Sequence, residues 1–110
     1  MTELKGFQKQ YLKGLAHSMK PVVIIGQHGV TPPLLASIEE ALHAHELIKV
    51  RFNDFKEKEV KDTLTLEIVE KSKAVLVSSV GHTITLYRPC KITEKRKIRI
   101  PKNPVKAPPA

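Results

Sequence analysis

The sequence has one cysteine and no long apolar run, and each shortage argues against a class of protein. Cys90 is the only cysteine among the 110 residues, which argues against an internal disulfide and a structural zinc site. No apolar stretch exceeds a handful of residues, and the first ten residues lack the apolar core of a signal peptide, so we expect no membrane span and a cytoplasmic protein. With 41% hydrophobic residues, the chain is long enough for one domain.

Acidic residues are scarce at both ends of the chain. The sequence carries 19 basic and 11 acidic residues, a formal net charge of +8. Residues 88–110 hold eight basic residues against Glu94 alone, a net +7, and residues 1–30 hold four lysines against Glu3, a net +3. Such a distribution draws a polyanion to the place where the ends meet, although a solubilising surface with a basic tail explains the charge alone equally well.

The periodicity of apolar residues predicts seven elements. They are a helix within 5–19, a strand over 21–25, a helix with Thr31 as N-cap and Pro32 at its first position, a strand over 47–52, a helix through Val60, Leu64 and Ile68, and strands over 74–80 and 82–87 joined at Gly81 and His82. The strand over 21–25 is expected to be buried on both faces, since it is short and β-branched, whereas 47–52 alternates and has one covered face.

These elements predict a compact α/β domain of two or three layers, in the order α-β-α-β-α-β-β around a small four-stranded mixed sheet. Residues 1–100 form the predicted domain. Residues 97–100 are a candidate edge strand, and residues 101–110 are a basic, proline-rich tail that we expect to be disordered.

Two of the five glycines flank one short turn, "GQHG", between the first strand and the second helix. Gly26 and Gly29 are expected to permit positive φ and to leave the backbone bare, while the free N–H groups of the following helix would attract an anion such as a phosphate. The turn lacks the glycine and lysine pattern of a P-loop or a dinucleotide site. The plain alternative is that the glycines only allow a tight turn.

Candidate chemistry is sparse elsewhere. His28 is a conceivable general base for RNA cleavage, but no acidic partner or second histidine is placed beside it by the sequence. His43 and His45 lie two apart on a helix and do not form a metal pair. We therefore predict no catalytic residues, no metal site and no cofactor.

The stretch from "YLKGLAH" through "IIGQHGV" to "HELIKV", with the later "GHTITLYRP", resembles the CRM domain (chloroplast RNA splicing and ribosome maturation), in particular its small stand-alone bacterial YhbY type. The resemblance covers about residues 4–100. It implies a non-enzymatic RNA-binding protein, a fold similar to the C-terminal domain of translation initiation factor three, and association with precursors of the large ribosomal subunit. The implied partner is RNA, here ribosomal RNA, with no membrane and with a monomer as the working assumption.

The resemblance also assigns RNA-binding positions. Nine residues are implied: Lys5, Lys9, Lys13, Lys20, Gly26, Gln27, His28, Gly29 and Arg88. Arg88 closes the "LYR" motif, and its role stays open between an RNA contact and an ion pair with an acid such as Glu46. Base stacking is expected to be secondary, and Phe55 is expected to pack on the core. The alternative function is a protein-interaction module that docks on a ribosomal protein or translation factor through the acidic face of the second helix.

Overall fold

The computed structural model describes residues 5–55 and 57–89. The seven elements are α1 (Gly6–Ala16), β1 (Val23–Ile25), α2 (Pro32–His45), β2 (Leu47–Phe52), α3 (Lys58–Ser72), β3 (Val75–Val80) and β4 (Thr83–Tyr87). This is the predicted order. The candidate strand over 97–100 and the tail 101–110 lie outside the described residues. Within the described ranges, no helix has the length and apolar character needed to cross a membrane.

The four strands form one mixed sheet in the order β1-β2-β4-β3. β1 and β2 are parallel, whereas β4 is antiparallel to both of its neighbours. The hairpin predicted at Gly81 and His82 is confirmed, and Gly81 takes the positive φ of 58° that such a tight turn favours. A register shift between Leu76 and Ser78 marks a β-bulge in β3.

Side chains of β2 alternate between two layers of helices. Ile48, Val50 and Phe52 belong to the main core, which α2 and α3 close through Ile38 and Ile68. We call this side of the sheet the α2/α3 face. Because the helices occupy both sides of the sheet, the fold has three layers rather than two.

A second, smaller core lies on the opposite side of the sheet, which we call the α1 face. Leu12 and Ala16 of α1 pack there against Leu47, Val77 and Tyr87. These sheet residues cluster at the first residue of β2 and the last residue of β4, which pair with each other. α1 therefore covers one end of this face.

The burial predicted for the first strand is wrong on one face. Val23 and Ile25 are buried, but Ile24 between them is 58% exposed, and the preceding Val22 is 49% exposed. β1 is an edge strand, and its α1 face lies beyond the area that α1 covers. A β-branched run reports strand propensity, but it does not report how far a helix extends over the strand.

The third helix forms despite its two threonines. The Thr63 hydroxyl donates to the Glu59 carbonyl at 3.0 Å, and the Thr65 hydroxyl donates to the Lys61 carbonyl at 2.7 Å. These bonds satisfy the hydroxyl groups inside the helix. Leu66 lies on the solvent face of α3, where it is 69% exposed.

Candidate nucleic-acid interface

The GQHG loop, residues 26–29, is an exposed turn held on a packed base. The Gly29 N–H donates to the Gly26 carbonyl at 3.0 Å, and Gln27 and His28 between them are exposed. Gly29 is buried with φ of 67°, and a Cβ built on it would meet the Phe55 ring at 3.6 Å. Phe55 packs against the main core, as expected. The base of the loop is thus positioned by Phe55, which belongs to the packing of the main core.

Only one of the two glycines has the expected backbone conformation. Gly29 has positive φ, but Gly26 does not, so only Gly29 uses the conformational freedom that both glycines were expected to provide. A Cβ on Gly26 would lie 3.7 Å from Oδ2 of Asp54, an ordinary contact distance. The same geometry places the exposed Asp54 carboxylate, which was not among the predicted site residues, beside the start of the loop.

The start of α2 is capped as predicted but offers few donors. The Thr31 hydroxyl accepts from the Leu34 N–H at 3.2 Å, and the Thr31 carbonyl accepts from the Leu35 N–H at 2.9 Å. Pro32 and Pro33 have no N–H at all. The expected free N–H groups of this helix are therefore absent from its first turn, as far as the described residues go.

The donors that remain belong to the loop and to the two residues that follow it. The backbone N–H groups of Gln27, His28, Val30 and Thr31 have no hydrogen-bond partner among the described residues. Successive N–H groups next to a residue in the left-handed region commonly form a concave anion site. The turn can therefore offer its backbone, the Gln27 amide and the His28 ring to an anion, with the positive end of the α2 dipole behind them.

The β3–β4 turn lies at the same end of the sheet. The Lys61 ammonium donates to the Gly81 carbonyl at 2.8 Å and lies 3.1 Å from Nδ1 of His82. The His82 carbonyl in turn accepts from the Phe52 N–H at 2.7 Å. Because Ile25 pairs with Phe52, β1 and β2 end side by side, and this turn and the GQHG loop both lie where these strands end. We call this the loop end of the sheet.

The predicted lysines lie on and after α1. Lys5 is the N-cap residue, whose N–H donates to Oε1 of Gln8 at 2.9 Å. Lys5, Lys13 and Lys20 are exposed, and Lys9 is half-buried. We call Lys5, Lys9 and Lys13, spaced four apart, the lysine stripe. Lys13 also lines a cleft of about 680 Å³ between α1 and the sheet, and so connects the stripe to the sheet surface.

Arg88 lies away from the loop. It follows Tyr87, which pairs with Leu47 at the opposite end of the sheet. Its guanidinium donates to Oε2 of Glu39 and, at 3.0 Å, to the carbonyl of Ser72, the last residue of α3. Its acid is thus Glu39 rather than the suggested Glu46, whose carbonyl accepts the Arg88 backbone N–H at 2.8 Å.

Two basic residues of the sheet were not among the predicted site residues. Lys49 and Arg51 point to the α1 face because they alternate with the buried residues of β2. The Lys49 ammonium donates to the Met19 carbonyl at 3.2 Å and ties the connection after α1 to the sheet. The strand pattern already placed both cations on one face, so alternation was the signal that could have found them.

The described residues contain no group of three or more histidine, cysteine, aspartate and glutamate side chains placed to hold a metal ion. His28 is exposed at the tip of the loop, and His43 and His45 are exposed on α2. The surface around the loop is suited to binding through charge and hydrogen bonds.

Comparison with known proteins relates the chain to one group. Residues 4–88 match the CRS1/YhbY (CRM) domain. A Haemophilus influenzae protein named "RNA-binding protein" is 46% identical over 102 residues, which cover 93% of this chain and 99% of the relative. A Bacillus subtilis protein named "Probable RNA-binding protein" is 37% identical over 98 residues, covering 89% of this chain and 99% of the relative.

A solved structure shares the fold. The solution structure of a hypothetical Staphylococcus aureus protein, described as an RNA-binding candidate, is 33% identical and gives a TM-score of 0.76. The match covers 90% of this chain and 100% of that one.

Proposed function

This chain belongs to the CRS1/YhbY (CRM) domain family, and we propose that it is a non-enzymatic RNA-binding protein that acts on ribosomal RNA in precursors of the large ribosomal subunit. The names of its relatives support RNA as the partner. The observation that carries the proposal is the exposed GQHG turn, in which the side chains and backbone N–H groups of Gln27 and His28 have no partner among the described residues. Such a turn can approach a phosphate closely.

The loop supplies the short-range contacts. Gly29 holds the turn in a conformation that a side-chain-bearing residue rarely adopts. Gln27 and His28 donate hydrogen bonds to phosphate oxygens, and the loop N–H groups add further donors. Neither side chain has a fixed positive charge, so this contact is directional rather than strongly ionic.

Lysines supply the long-range attraction. Lys5, Lys13 and Lys20 are exposed, and together with Lys9 they place positive charge along α1 and the connection to β1. Each phosphate contact releases counterions, so the RNA affinity should fall steeply as salt rises, with a slope of about −0.7 per contact for a single strand and about −0.9 for a duplex.

The deciding experiment measures RNA affinity by fluorescence anisotropy across a salt series. We expect a log-log slope of about −3 or steeper, equivalent to roughly four or more phosphate contacts. An affinity for RNA that does not change with salt would contradict the proposal and favour the protein-docking alternative.

Crosslinking in cells, followed by sequencing of the attached RNA, tests the ribosomal target separately. Recovery of RNA other than precursor ribosomal RNA would overturn the proposed ribosomal target.

A further inference from the structure

The α1 face of the sheet is only partly covered by α1. The covered end contains Leu47 and Tyr87, which are buried under Leu12 and Ala16. Beyond them, toward the loop end, the face contains Arg51 of β2 and its register partners, and none of these residues belongs to the core that α1 closes. We call this uncovered part of the α1 face the open half.

One row of side chains crosses the open half from edge to edge. Arg51 pairs with Ile24 of β1 on one side and with Thr83 of β4 on the other, and Thr83 pairs with Val80 of β3. Ile24 is 58% exposed and Val80 is 69% exposed. The row therefore presents an apolar group at each edge and a cation near its centre.

Next to this row lies the cleft between α1 and the sheet. Lys49, Thr85 and Ser78 form its floor, together with Thr83 and Val80, and Lys13 lies on its α1 wall. None of the eleven described residues that line it is acidic. The whole surface is thus positively charged and rich in hydroxyl groups, and an anionic partner fits it.

We propose that the open half binds a single-stranded segment of RNA, with Arg51 as its main cationic contact. The inference rests on the proposed function and adds a surface to it. Ile24 lies two residues before the GQHG loop, and Lys13 belongs to the lysine stripe, so the open half is continuous with both parts of the proposed interface.

The dimensions favour a single strand over a duplex. The cleft of about 680 Å³ falls in the range of small-molecule pockets, about 300–1,000 Å³. A cleft of this size can take up individual nucleotides of a flexible strand. A stiff A-form helix is instead recognised across its wide minor groove. Unpaired bases also expose apolar faces that Ile24 and Val80 can contact.

The two cations that β2 places on the α1 face, Lys49 and Arg51, have different roles. The Lys49 ammonium is already bonded to the Met19 carbonyl, whereas Arg51 is exposed and makes no ion pair or hydrogen bond through its side chain with any described residue. A guanidinium can pair with a phosphate in two-point fashion or stack on an unpaired base. Arg51 is therefore the residue that the surface leaves available to RNA.

Val80 and Leu66 form a matched pair for a test. Both are exposed apolar residues, each 69% exposed, but Val80 lies in the open half and Leu66 lies on the solvent face of α3. Val80→Glu and Leu66→Glu change the net charge equally. The probes are an unstructured oligouridylate of about 10 nucleotides and an RNA duplex of about 16 base pairs, each measured by anisotropy at one salt concentration.

We expect Val80→Glu to weaken oligouridylate binding about tenfold, while Leu66→Glu changes it less than about twofold, because only the former places a carboxylate in the RNA path. The duplex affinity should differ little between the two variants.

Arg51→Gln should leave the fold unchanged, because position 51 is exposed. It should weaken oligouridylate binding about fivefold and reduce the magnitude of the salt slope by about 0.7.

Equal oligouridylate affinities for the two glutamate variants, with Arg51→Gln like the parent protein, would overturn the inference and leave the open half to another occupant such as a protein. Equal losses for oligouridylate and duplex would overturn the single-strand assignment.

If the parent protein bound neither RNA, the proposed function would fail as well. If it bound RNA through the loop alone, only this inference would fail. A thermal melt first shows whether Val80→Glu is folded at the temperature of the binding measurement. If it is not, the oligouridylate affinity of Arg51→Gln decides the outcome.

Discussion

The two ends of the sheet carry an arginine each, in opposite circumstances. Arg51, next to the loop end, is exposed and has no ion pair with a described residue. Arg88, at the other end, is half-buried and bonded to Glu39 and to the carbonyl of Ser72. Both add to the same positive net charge, yet only the first is available to a phosphate. A cation is therefore a candidate RNA contact only when the fold has not already supplied its partners.

The largest expected effect tests the loop end directly. Gln27→Glu with His28→Glu should weaken RNA binding, and Gln27→Lys with His28→Lys should strengthen it, because the new charges lie beside backbone donors and a helix N-terminus. We expect the two double variants to differ about a thousandfold in affinity, or about 4.1 kcal/mol. Anisotropy at fixed salt measures this difference. Melting temperatures should match, since both positions are exposed, and equal affinities would mean that the loop only turns the chain.

The lysine stripe should produce the next largest effect. Changing Lys5, Lys9 and Lys13 together to glutamine should reduce the magnitude of the salt slope by about 2 to 3, at about 0.7–0.9 per contact, with an affinity loss on the order of tenfold to a hundredfold. Stability should barely change, because glutamine is about as good a helix former as lysine. The control is Lys71→Gln, which removes one positive charge, ion-paired with Glu67 at 3.0 Å, from α3 on the other side of the sheet, and the effects are compared per charge removed. A full salt slope in the triple variant would place the RNA contacts elsewhere.

Arg88→Gln should act on stability rather than on binding. The guanidinium supports the last turn of α3 by donating to the Ser72 carbonyl, at the end of the helix where a positive charge is favourable. Removing it should lower the free energy of unfolding by about 1.5–2 kcal/mol. We expect no larger loss, because the Glu39 side chain is 59% exposed and its ion pair with Arg88 therefore contributes little. Urea denaturation measures the loss.

The stability and RNA affinity of Arg88→Gln are compared with those of Arg51→Gln. We expect that variant to keep its stability and lose affinity, and Arg88→Gln to show the reverse. RNA affinity that falls as far in Arg88→Gln as in Arg51→Gln, at a temperature where both are folded, would return Arg88 to the proposed interface.

The smallest effect separates the two loop glycines. Gly29→Ala should cost about 1 kcal/mol of stability, because alanine is strained at φ of 67°. Gly26→Ala should cost less than about 0.5 kcal/mol, since its φ is not positive and the nearest atom to the added Cβ is 3.7 Å away. Thermal melts of the two variants give the comparison. Equal losses would mean that backbone strain does not distinguish the two positions.

Much of the fold could be predicted because the relevant information is local. The helical spacing of Leu34, Ile38 and Leu42 and the alternation of β2 report their buried faces directly. The Thr31 cap was also predictable, because it depends on residues within one helical turn. The expected donors at the start of α2 could have been questioned from the sequence too, since Pro32 and Pro33 stand at the first two positions of the helix.

Other parts of the site depend on segments that are far apart in the chain. Arg88 meets Glu39 across a separation of 49 residues, and Asp54 reaches the loop only because β1 and β2 are parallel neighbours. The position of the predicted lysines relative to the loop likewise depends on where α1 packs. Composition and spacing show that these charges exist, but they do not show which of them meet.

By itself, the sequence determined the seven elements, the hairpin, the GQHG turn and an excess of positive charge, because periodicity, turn chemistry and charge are properties of neighbouring residues. Only the tertiary structure decided that α1 covers one end of its face, that Ile24 and Arg51 remain exposed, and that Arg88 is bonded within the fold. The physical reason is that alternation states which side of a strand faces a helix, whereas the extent of that cover and the pairing of distant charges arise from packing.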